Sequence, residues 1–264
     1  MKDFAYNSAC PTVSVIMPAY NVEKYIEAAI RSVLSQTYQN WELLIVEDCS
    51  TDATLAIAER LAGEDLRIKL LPNDENMGVA RSRDRAVKIC KGTYIAFLDS
   101  DDIWLPNKLE VQLKKMEETN ADLVYTSYQI VDQQEQRIKD DYIVPASADY
   151  ESLLRQNSVG CSTVLIRAEL MKRYCFHVGF YHEDYVLWLR IFRDGYTAAG
   201  CQDILVKWRY IENSRSFNKF QAARNRWRVY TQYLELPLGK AAACFLHYAI
   251  GGIKKYFLPR SKRG

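Results

Sequence analysis

The chain has 264 residues, of which 48% are hydrophobic and 26% are charged. This length allows one large domain or two small ones, and the composition excludes wholesale disorder. The formal net charge is only +2, but residues 207–264 carry 13 Lys and Arg against 2 Asp and Glu. A basic tail therefore follows an acidic body. We expect this tail to meet an anionic partner such as nucleic acid or a membrane surface.

Strands and helices alternate through the first hundred residues. Short apolar runs predict the strands, and apolar residues at helical spacing predict the helices between them. The predicted strands are 12–17, 41–46, 67–71 and 93–98, and the predicted helices are 22–36, about 55–61 and 79–91. This alternation with short loops predicts an α/β fold with a mostly parallel sheet.

After Pro106 the pattern becomes mixed. We predict a helix at 107–119, a strand at 121–131, a loop or hairpin tip at 132–141, a strand at 164–166, a helix near 183–193 and a strand at 204–210. This α+β half is expected to form a second wall beside the sheet. From residue 213 onward the chain is basic and its pattern is helical.

The cysteines and the apolar runs indicate the compartment. Seven cysteines are an odd number and contain no C-x-x-C pair, which argues against a disulfide framework and against a zinc site. Reduced thiols in a cytoplasmic protein are the simpler interpretation. We expect no cleaved leader, because residues 1–11 lack an apolar core, and no spanning helix, because no run of about 18 apolar residues occurs.

Polar side chains follow three of the predicted strands. In parallel sheets, ligands bind beyond the carboxyl ends of the strands, so these side chains are expected to meet in one crevice. There Asp48 could accept a hydrogen bond from a base or a ribose hydroxyl, and Tyr20 could stack on the base. The alternative is that Glu47 and Asp48 only cap the next turn.

Asp99 and Asp101 are separated by one residue at the end of the fourth strand. In an extended segment, side chains two residues apart point the same way, so both carboxylates can face one cation. Carboxylate oxygens suit Mg²⁺ or Mn²⁺, often together with substrate phosphates. The plainer alternative is that Asp102 or its neighbours cap the following helix.

Two further groups carry possible chemistry. Glu183 and Asp184 open a predicted helix, where acidic residues are favoured electrostatically, but one of them could also act as a general base. Among the arginines of the helix at 79–91, one could bind phosphate. The sequence has neither a G-x-G-x-x-G after the first strand nor a P-loop motif, so metal and side chains would have to hold any phosphate.

Taken together, these motifs resemble the family 2 inverting glycosyltransferases, which have a GT-A fold. The resemblance covers about residues 11–212 in five ordered blocks. The matching blocks are 13–21 (VSVIMPAYN), 32–54 (SVLSQTYQNWELLIVEDCSTDAT), 76–84 (NMGVARSRD), 92–110 (GTYIAFLDSDDIWLPNKLE) and 182–190 (HEDYVLWLR). The resemblance implies a nucleotide-sugar donor, which the spacing of the residues does not show.

The resemblance also implies residue roles. The implied nucleotide-sugar-binding residues are Pro18, Ala19, Tyr20, Asp48, Arg83, Asp99 and Ser100. Asp101 would be the direct ligand of Mn²⁺ or Mg²⁺, and Asp184 the catalytic base. Glu183 and Trp188 would lie on the acceptor side. One departure is Ile211, which stands where many relatives have a histidine. Any contact of that histidine with the metal or the diphosphate is therefore lost here or supplied by Arg209 or Arg215.

The predicted organisation is a GT-A domain at 1–212, with a nucleotide-binding half at about 11–105 and an acceptor half at 106–212, followed by a basic helical extension at 213–264. The expected function is metal-dependent, inverting transfer from a nucleotide sugar, UDP-linked by expectation, to a glycan or lipid-linked acceptor in cell-surface polysaccharide synthesis. The alternatives are a sugar-nucleotide nucleotidyltransferase and a non-catalytic nucleotide-binding protein. No nucleic-acid-binding module is recognised.

The basic tail has two interpretations. Residues 238–264 mix apolar and cationic side chains without an acid. They can form a helix packed on the domain with a frayed basic end, or a helix that lies on an anionic leaflet. The second interpretation predicts a cytoplasmic protein held peripherally on the inner face of the cell membrane.

Overall fold

The computed structural model describes residues 12–211 and 219–257, and within the second range it describes the side chains of 220–250. The strands of these residues are β1 Val13–Ala19, β2 Trp41–Glu47, β3 Ile68–Pro72, β4 Tyr94–Phe97, β5 Ile103–Trp104, β6 Leu123–Val131, β7 Ser147–Ala148, β8 Leu165–Arg167 and β9 Ala198–Arg209. The helices are α1 Ile26–Leu34, α2 Thr54–Glu64, α3 Val79–Ile89, α4 Lys108–Thr119, α5 Tyr150–Arg155, α6 Ala168–Arg173, α7 Glu183–Arg193, α8 Lys219–Arg228 and α9 Leu238–Phe257.

The described strands join in one sheet. Their order is β3-β2-β1-β4-β8-β6-β9-β5, and β7 pairs with β9. The first four strands are parallel, as predicted. β8 is antiparallel to both β4 and β6, while β6 and β9 are parallel to each other. It follows that β6 and β9 run in the same direction as β1 and β4, and that all four carboxyl ends lie on one edge of the sheet.

Helices cover both faces of this sheet, as the alternation of the strand side chains requires. In β1, Val13, Val15 and Met17 belong to the core beneath α1, α2 and α4. Ile16 points to the other core, which contains residues of α3 and α5 to α9. Full burial of an aliphatic side chain contributes about 1.5–3 kcal/mol, so the two layers fix the register of the strands.

The structure adds short elements that the sequence pattern did not predict: β5, β7, α5 and α6. Strands of two residues and helices of six are too short to show a period. β9 also begins at Ala198, six residues before the predicted start at 204. The pairing with β6 skips the exposed residues Gln202 and Asp203, so a polar bulge interrupts the apolar run that would have revealed the whole strand.

The C-terminal extension is helical at 219–233 and 238–257, as its sequence pattern predicts, and its boundary at 213 stays a prediction. One side of α9 packs on the domain, because Ala241 and Cys244 are buried in the core and the Phe245 ring lies 5.5 Å from that of Trp227. Within the described residues, we find no helix with both the length and the apolarity to span a membrane. Arg260, Lys262 and Arg263 lie outside the described residues, and the proposed boundary between the two halves stays a prediction.

Candidate active site

An open cavity of about 610 Å³ lies at the carboxyl edge of the sheet. Residues that follow β1, β2 and β4 meet there, as the sequence predicts. The predicted site residues that line it are Pro18, Ala19, Tyr20, Asp48, Arg83, Asp99, Ser100, Asp101, Glu183 and Asp184. The roles that the resemblance assigns to them stay predictions, but their convergence is a property of the fold.

Asp48 anchors one wall of the cavity. Its carboxylate accepts hydrogen bonds from the backbone N–H groups of Met77 and Gly78, at 2.8 Å each, and from the Asn73 amide at 2.6 Å. Gly78 has a φ of 81°, a left-handed conformation that glycine adopts without strain. Asp48 therefore holds the loop that begins α3, and its contact with a base or ribose stays a prediction.

The neighbouring Glu47 has the capping role considered for this pair of acids. Its carboxylate accepts hydrogen bonds from the N–H of Ser50 at 2.7 Å and of Cys49 at 3.2 Å. Cys49 has a φ of 61°, so the acid stabilises a tight turn after β2. Tyr20, across the cavity rim, keeps 48% of its surface exposed and is accessible to a ligand.

Arg83 joins two acids from distant parts of the chain. Its guanidinium contacts Asp99 at 2.5 Å and Glu183 at 3.0 Å, and only 4% of its side chain is exposed. Buried charges need such partners, since an isolated ion loses its hydration. This ion-pair triad places the end of β4 beside the start of α7. A contact between Arg83 and a diphosphate stays a prediction.

The turn after β4 concentrates negative charge. Burial and the nearby Asp99 raise the pKa of the Asp101 carboxyl to about 6. Asp102 is buried and accepts a hydrogen bond from the Arg209 backbone N–H at 2.9 Å; burial and its acidic neighbours raise its pKa well above the usual range. The turn is pinned from the other side, because the Asp99 N–H donates to the Ser162 hydroxyl at 3.0 Å.

This donor set fits a hard divalent cation. Asp99 and Asp101 offer carboxylate oxygens to the cavity, and like charges held close together are relieved by a cation. In residues 12–211 and 219–257, no group of three or more His, Cys, Asp and Glu residues could hold a metal by itself. Diphosphate oxygens and water would therefore have to complete the coordination shell, as is usual for magnesium.

Asp184 lies in the first turn of α7 and lines the cavity. Burial and the neighbouring Glu183 raise the pKa of the Asp184 carboxyl to about 6, and Arg83 opposes that rise. A carboxylate with this pKa is largely ionised at neutral pH and accepts a proton more readily than an ordinary aspartate. The role of Asp184 as a general base stays a prediction, supported by its position on the cavity and its raised pKa.

Trp188 corrects one prediction. The resemblance suggested that it lies near an acceptor, but its side chain has 0% exposure and does not line the cavity. It packs in the core with Phe97 and Phe176, at ring-centroid distances of 6.3 and 6.5 Å. Trp188 is one turn along α7 from Asp184, and this position places it beneath the site.

The sequence analysis missed a cavity segment at 157–163, where Asn157, Ser158 and the turn Cys161–Thr163 line the site. The cause is the direction of β8. Because β8 is antiparallel to β4, the residues that precede β8, and not those that follow it, lie at the ligand edge. A run of small polar residues before a predicted strand was the available signal.

The carboxyl ends of β6 and β9 were missed as well. Tyr128 and Trp208 line the cavity, although only their strands were predicted. Arg209 lines it as well, and the sequence analysis named it only as a replacement for the family histidine. Arg209 donates to the Asp101 carbonyl at 2.8 Å and the Gln133 carbonyl at 2.9 Å. It thus holds two loops together. That Arg209 supplies the contact of the family histidine, which is replaced by Ile211 in this chain, stays a prediction. Arg215 lies outside the described residues.

Comparisons with known proteins agree with this arrangement. The model of the family "Glycosyl transferase family 2" matches residues 14–175. The chain is 42% identical over 246 residues to the Escherichia coli UDP-Glc:alpha-D-GlcNAc-diphosphoundecaprenol beta-1,3-glucosyltransferase WfgD, covering 92% of this chain and 94% of that protein. It is 38% identical over 245 residues to the putative teichuronic acid biosynthesis glycosyltransferase TuaG of Bacillus subtilis, covering 93% and 97%.

Solved structures show the same fold. Staphylococcus aureus TarS in complex with UDP-GlcNAc superposes with a TM-score of 0.69 at 20% identity, covering 92% of this chain and 73% of that one. The mannosyltransferase PcManGT of Pyrobaculum calidifontis, in complex with GDP-Man and Mn²⁺, superposes with a TM-score of 0.68 at 18% identity, covering 92% and 76%. The expected GT-A architecture is confirmed.

Proposed function

The chain belongs to glycosyl transferase family 2, and from that premise we propose that it transfers a sugar from a UDP-linked donor to a hydroxyl of a lipid-linked saccharide during cell-surface polysaccharide synthesis. The observation that carries the proposal is the convergence of Asp99, Asp101 and Asp184 in one cavity. The printed activities of the relatives supply the substrate class, since WfgD and WfaP are both named as glucosyltransferases acting on GlcNAc-diphosphoundecaprenol.

Asp184 is the proposed base. It takes the proton of the acceptor hydroxyl as that oxygen attacks the anomeric carbon, a role that typically contributes ~10²–10⁴-fold. Attack on the face opposite the leaving diphosphate inverts the anomeric configuration. Glu183, paired with Arg83 at 3.0 Å, fixes the start of α7 and so the position of the base.

The donor is proposed to lie between the ends of β1, β2 and β4. Tyr20 stacks on the base, and Pro18, Ala19 and Asp48 complete the base and ribose pocket. Asp101 would hold Mn²⁺ or Mg²⁺, with Asp99 and Ser100 beside it. When bound, the cation would offset the charge that develops on the leaving diphosphate.

Two alternatives have less support. A sugar-nucleotide nucleotidyltransferase would carry a Gly-rich loop after the first strand, and here β1 is followed by Tyr20-Asn21-Val22. A non-catalytic nucleotide-binding protein would have no need for a cavity acid with a pKa of about 6, which Asp184 has. The tail gives no nucleic-acid-binding module to favour a third class.

Membrane association is the second part of the proposal. The exposed side of α9 carries Leu238, Leu246 and Ile250, which are spaced at 8 and 4 residues and so share a face. With the cations of the tail, this face would lie on the anionic inner surface of the cell membrane, where a lipid-linked acceptor is found. The protein would then work on the cytoplasmic side.

A donor and acceptor screen tests the proposed function. The full chain is incubated with a panel of UDP- and GDP-sugars, Mn²⁺ and a synthetic α-D-GlcNAc diphosphate on a short alkyl chain. Nucleotide release and product mass are measured, and NMR gives the configuration of the new linkage. Transfer from a UDP-sugar with inversion supports the proposal. In a parallel incubation with nucleoside triphosphates and sugar 1-phosphates, formation of a nucleotide sugar with release of pyrophosphate would favour the nucleotidyltransferase.

A further inference from the structure

Four aromatic side chains gather at the carboxyl ends of β6 and β9. The rings of Tyr128 and Tyr142 are stacked, with centroids 5.0 Å apart and planes at 22°. Trp208 lies 6.4 Å from Tyr128 and 6.4 Å from Tyr210. Tyr142 and Tyr128 pack at the edges of the two core clusters. None of the four rings belongs to the ion-pair triad, and the proposed mechanism gives the two that line the cavity no role.

The register of the two strands shows which of these rings face the cavity. Tyr128 pairs with Val206, and Trp208 is two residues further along β9. Side chains two residues apart on a strand share a face, and paired residues of neighbouring strands do as well. Tyr128, Val206 and Trp208 all line the cavity, whereas Tyr142 and Tyr210 do not.

The sheet order separates this aromatic wall, Tyr128 and Trp208, from the nucleotide wall. The ends of β1 and β2 lie on one side of β4, and the ends of β6 and β9 lie on the other. The chain passes from β4 through the acidic turn 99–102 to β5, which pairs with the far side of β9. The turn therefore crosses the sheet edge between the two walls, and the aromatic wall lies beyond the point where the donor's diphosphate would be held.

Aromatic faces in a polar cavity suit one class of ligand. A pyranose ring has an apolar face of C–H groups and a rim of hydroxyls, and an aromatic side chain offers a flat apolar surface with little loss of entropy on binding. Asn157 and Arg209 are among the polar residues that line the same cavity. Pockets of this kind orient a ligand through a few polar groups around an apolar surface.

We propose that Tyr128 and Trp208 form a stacking subsite for the sugar ring of the acceptor, which then presents its hydroxyl to Asp184. This inference rests on the proposed function and names the acceptor subsite within it. Tyr142 is a positioning residue, because it stacks on Tyr128 without lining the cavity. The aromatic wall replaces Trp188 as the acceptor-side aromatic surface.

The test uses the full chain and the variants Tyr128→Ala and Trp208→Ala. The matched control is Tyr210→Ala, which removes a ring of the same cluster that does not line the cavity. Trp208→Phe retains an aromatic face. Acceptor KM is measured with the synthetic α-D-GlcNAc diphosphate, and donor KM, acceptor-independent donor hydrolysis and UDP affinity are measured in parallel. Calorimetry of the same saccharide with UDP-bound protein gives binding without turnover.

We expect each alanine variant to raise the acceptor KM and the saccharide Kd about tenfold or more, with donor KM, donor hydrolysis and UDP affinity within twofold of the wild type. Trp208→Phe and Tyr210→Ala should stay near the wild type. An unchanged acceptor Kd in both alanine variants overturns the proposal, as does an equal rise in donor KM, which would place the donor sugar on the wall. If the wild-type protein binds the saccharide, Trp208→Ala weakens that binding and no sugar is transferred, the result supports the subsite and contradicts the proposed function.

Discussion

At the scale of single residues, Arg83 provides the positive charge that offsets the acids of the cavity. Its guanidinium is shared between Asp99 and Glu183, and its charge also lowers the pKa of Asp184 against the larger effect of burial. Without this cation, three acids from two elements would repel one another in a poorly hydrated space. Arg83 thus keeps Asp184 within the range in which a carboxyl can both ionise and accept a proton.

Asp184→Asn tests the base. The substitution keeps the shape of the side chain and removes the proton acceptor, so we expect kcat to fall by ~10² or more while UDP affinity stays near the wild type. In the wild type, the base must be ionised, so kcat/KM should rise with pH through about 6 and level off above it, following the pKa of Asp184. Loss of donor binding in the variant, or a rate that does not depend on pH near 6, would show that Asp184 is not the base.

Asp101→Ala tests the metal site. Asp101 and Asp99 offer oxygen ligands to one cation, so removing Asp101 should abolish the Mn²⁺-dependent part of UDP affinity and the transfer reaction. Calorimetry of UDP binding with and without Mn²⁺ measures the effect. Glu75→Ala, an exposed acid of the loop before α3, is the control and should bind UDP as the wild type does. Equal Mn²⁺-dependent affinity in Asp101→Ala would contradict the assignment.

At the scale of elements, the sequence predicted the strands and helices that are long enough to show a hydrophobic pattern. The four parallel strands, their helices and the acids at their ends were predictable, because each strand is a continuous apolar run and parallel strands carry ligands at one edge. The direction of β8 was not predictable, since a three-residue strand carries no sign of its orientation. For that reason the cavity segment 157–163 and the aromatic wall of β6 and β9 were missed, and Trp188, whose burial depends on tertiary packing, was misassigned.

The helix α8 connects the C-terminal extension to the base. Asn225 is buried, and its side-chain oxygen accepts a hydrogen bond from the Tyr181 N–H at 3.0 Å. Arg226, on the same helix, stacks on Tyr185 of α7 with its guanidinium carbon 3.6 Å from the ring centroid. Tyr181 and Tyr185 flank the segment that carries Asp184. An extension that looked separate in sequence therefore fixes the backbone on both sides of the proposed base.

Asn225→Ala tests this link. The variant removes the hydrogen bond between the Tyr181 N–H and the Asn225 side chain, which should lower the free energy of unfolding by about 1–3 kcal/mol. Displacement of the base should lower kcat about 10- to 100-fold with little change in UDP affinity. Gln232→Ala, which removes an exposed hydrogen bond to Arg228, is the control. If Asn225→Ala lowers stability but leaves kcat unchanged, α8 supports the fold only.

At the scale of the whole molecule, charge and exposed apolar surface are concentrated at the C-terminal end. The tail from residue 207 has a net charge of +11, while the preceding residues have a net charge of −9. One side of α9 is buried through Ala241 and Cys244, whereas Leu238 and Leu246 on its other side are 73% and 61% exposed. The two sequence-based interpretations of the tail therefore apply to different faces of the same helix. The packed face supports the interpretation of a helix that packs on the domain. The exposed face leaves the membrane interpretation as a prediction.

This division determines how membrane binding should be tested. A chain that ends at Leu236 would lose Ala241 and Cys244 from the core, so weaker vesicle binding could reflect unfolding. The triple variant Leu238→Ser, Leu246→Ser, Ile250→Ser changes only exposed positions and should keep the melting temperature and UDP affinity of the wild type. Leu66→Ser, at a residue that is 97% exposed on another part of the surface, is the matched control.

We expect the full chain to float with anionic vesicles at low salt and to detach as salt rises, because the attraction between the basic tail and the headgroups is screened. Each Lys or Arg near the surface contributes ~1 kcal/mol, and the apolar face of α9 adds burial in the interface, so the triple variant should lose most of its binding while Leu66→Ser keeps it. Neutral vesicles should retain little protein in either case. A full chain that fails to float with anionic vesicles even at low salt would contradict the membrane proposal, and the exposed face of α9 would then need another partner.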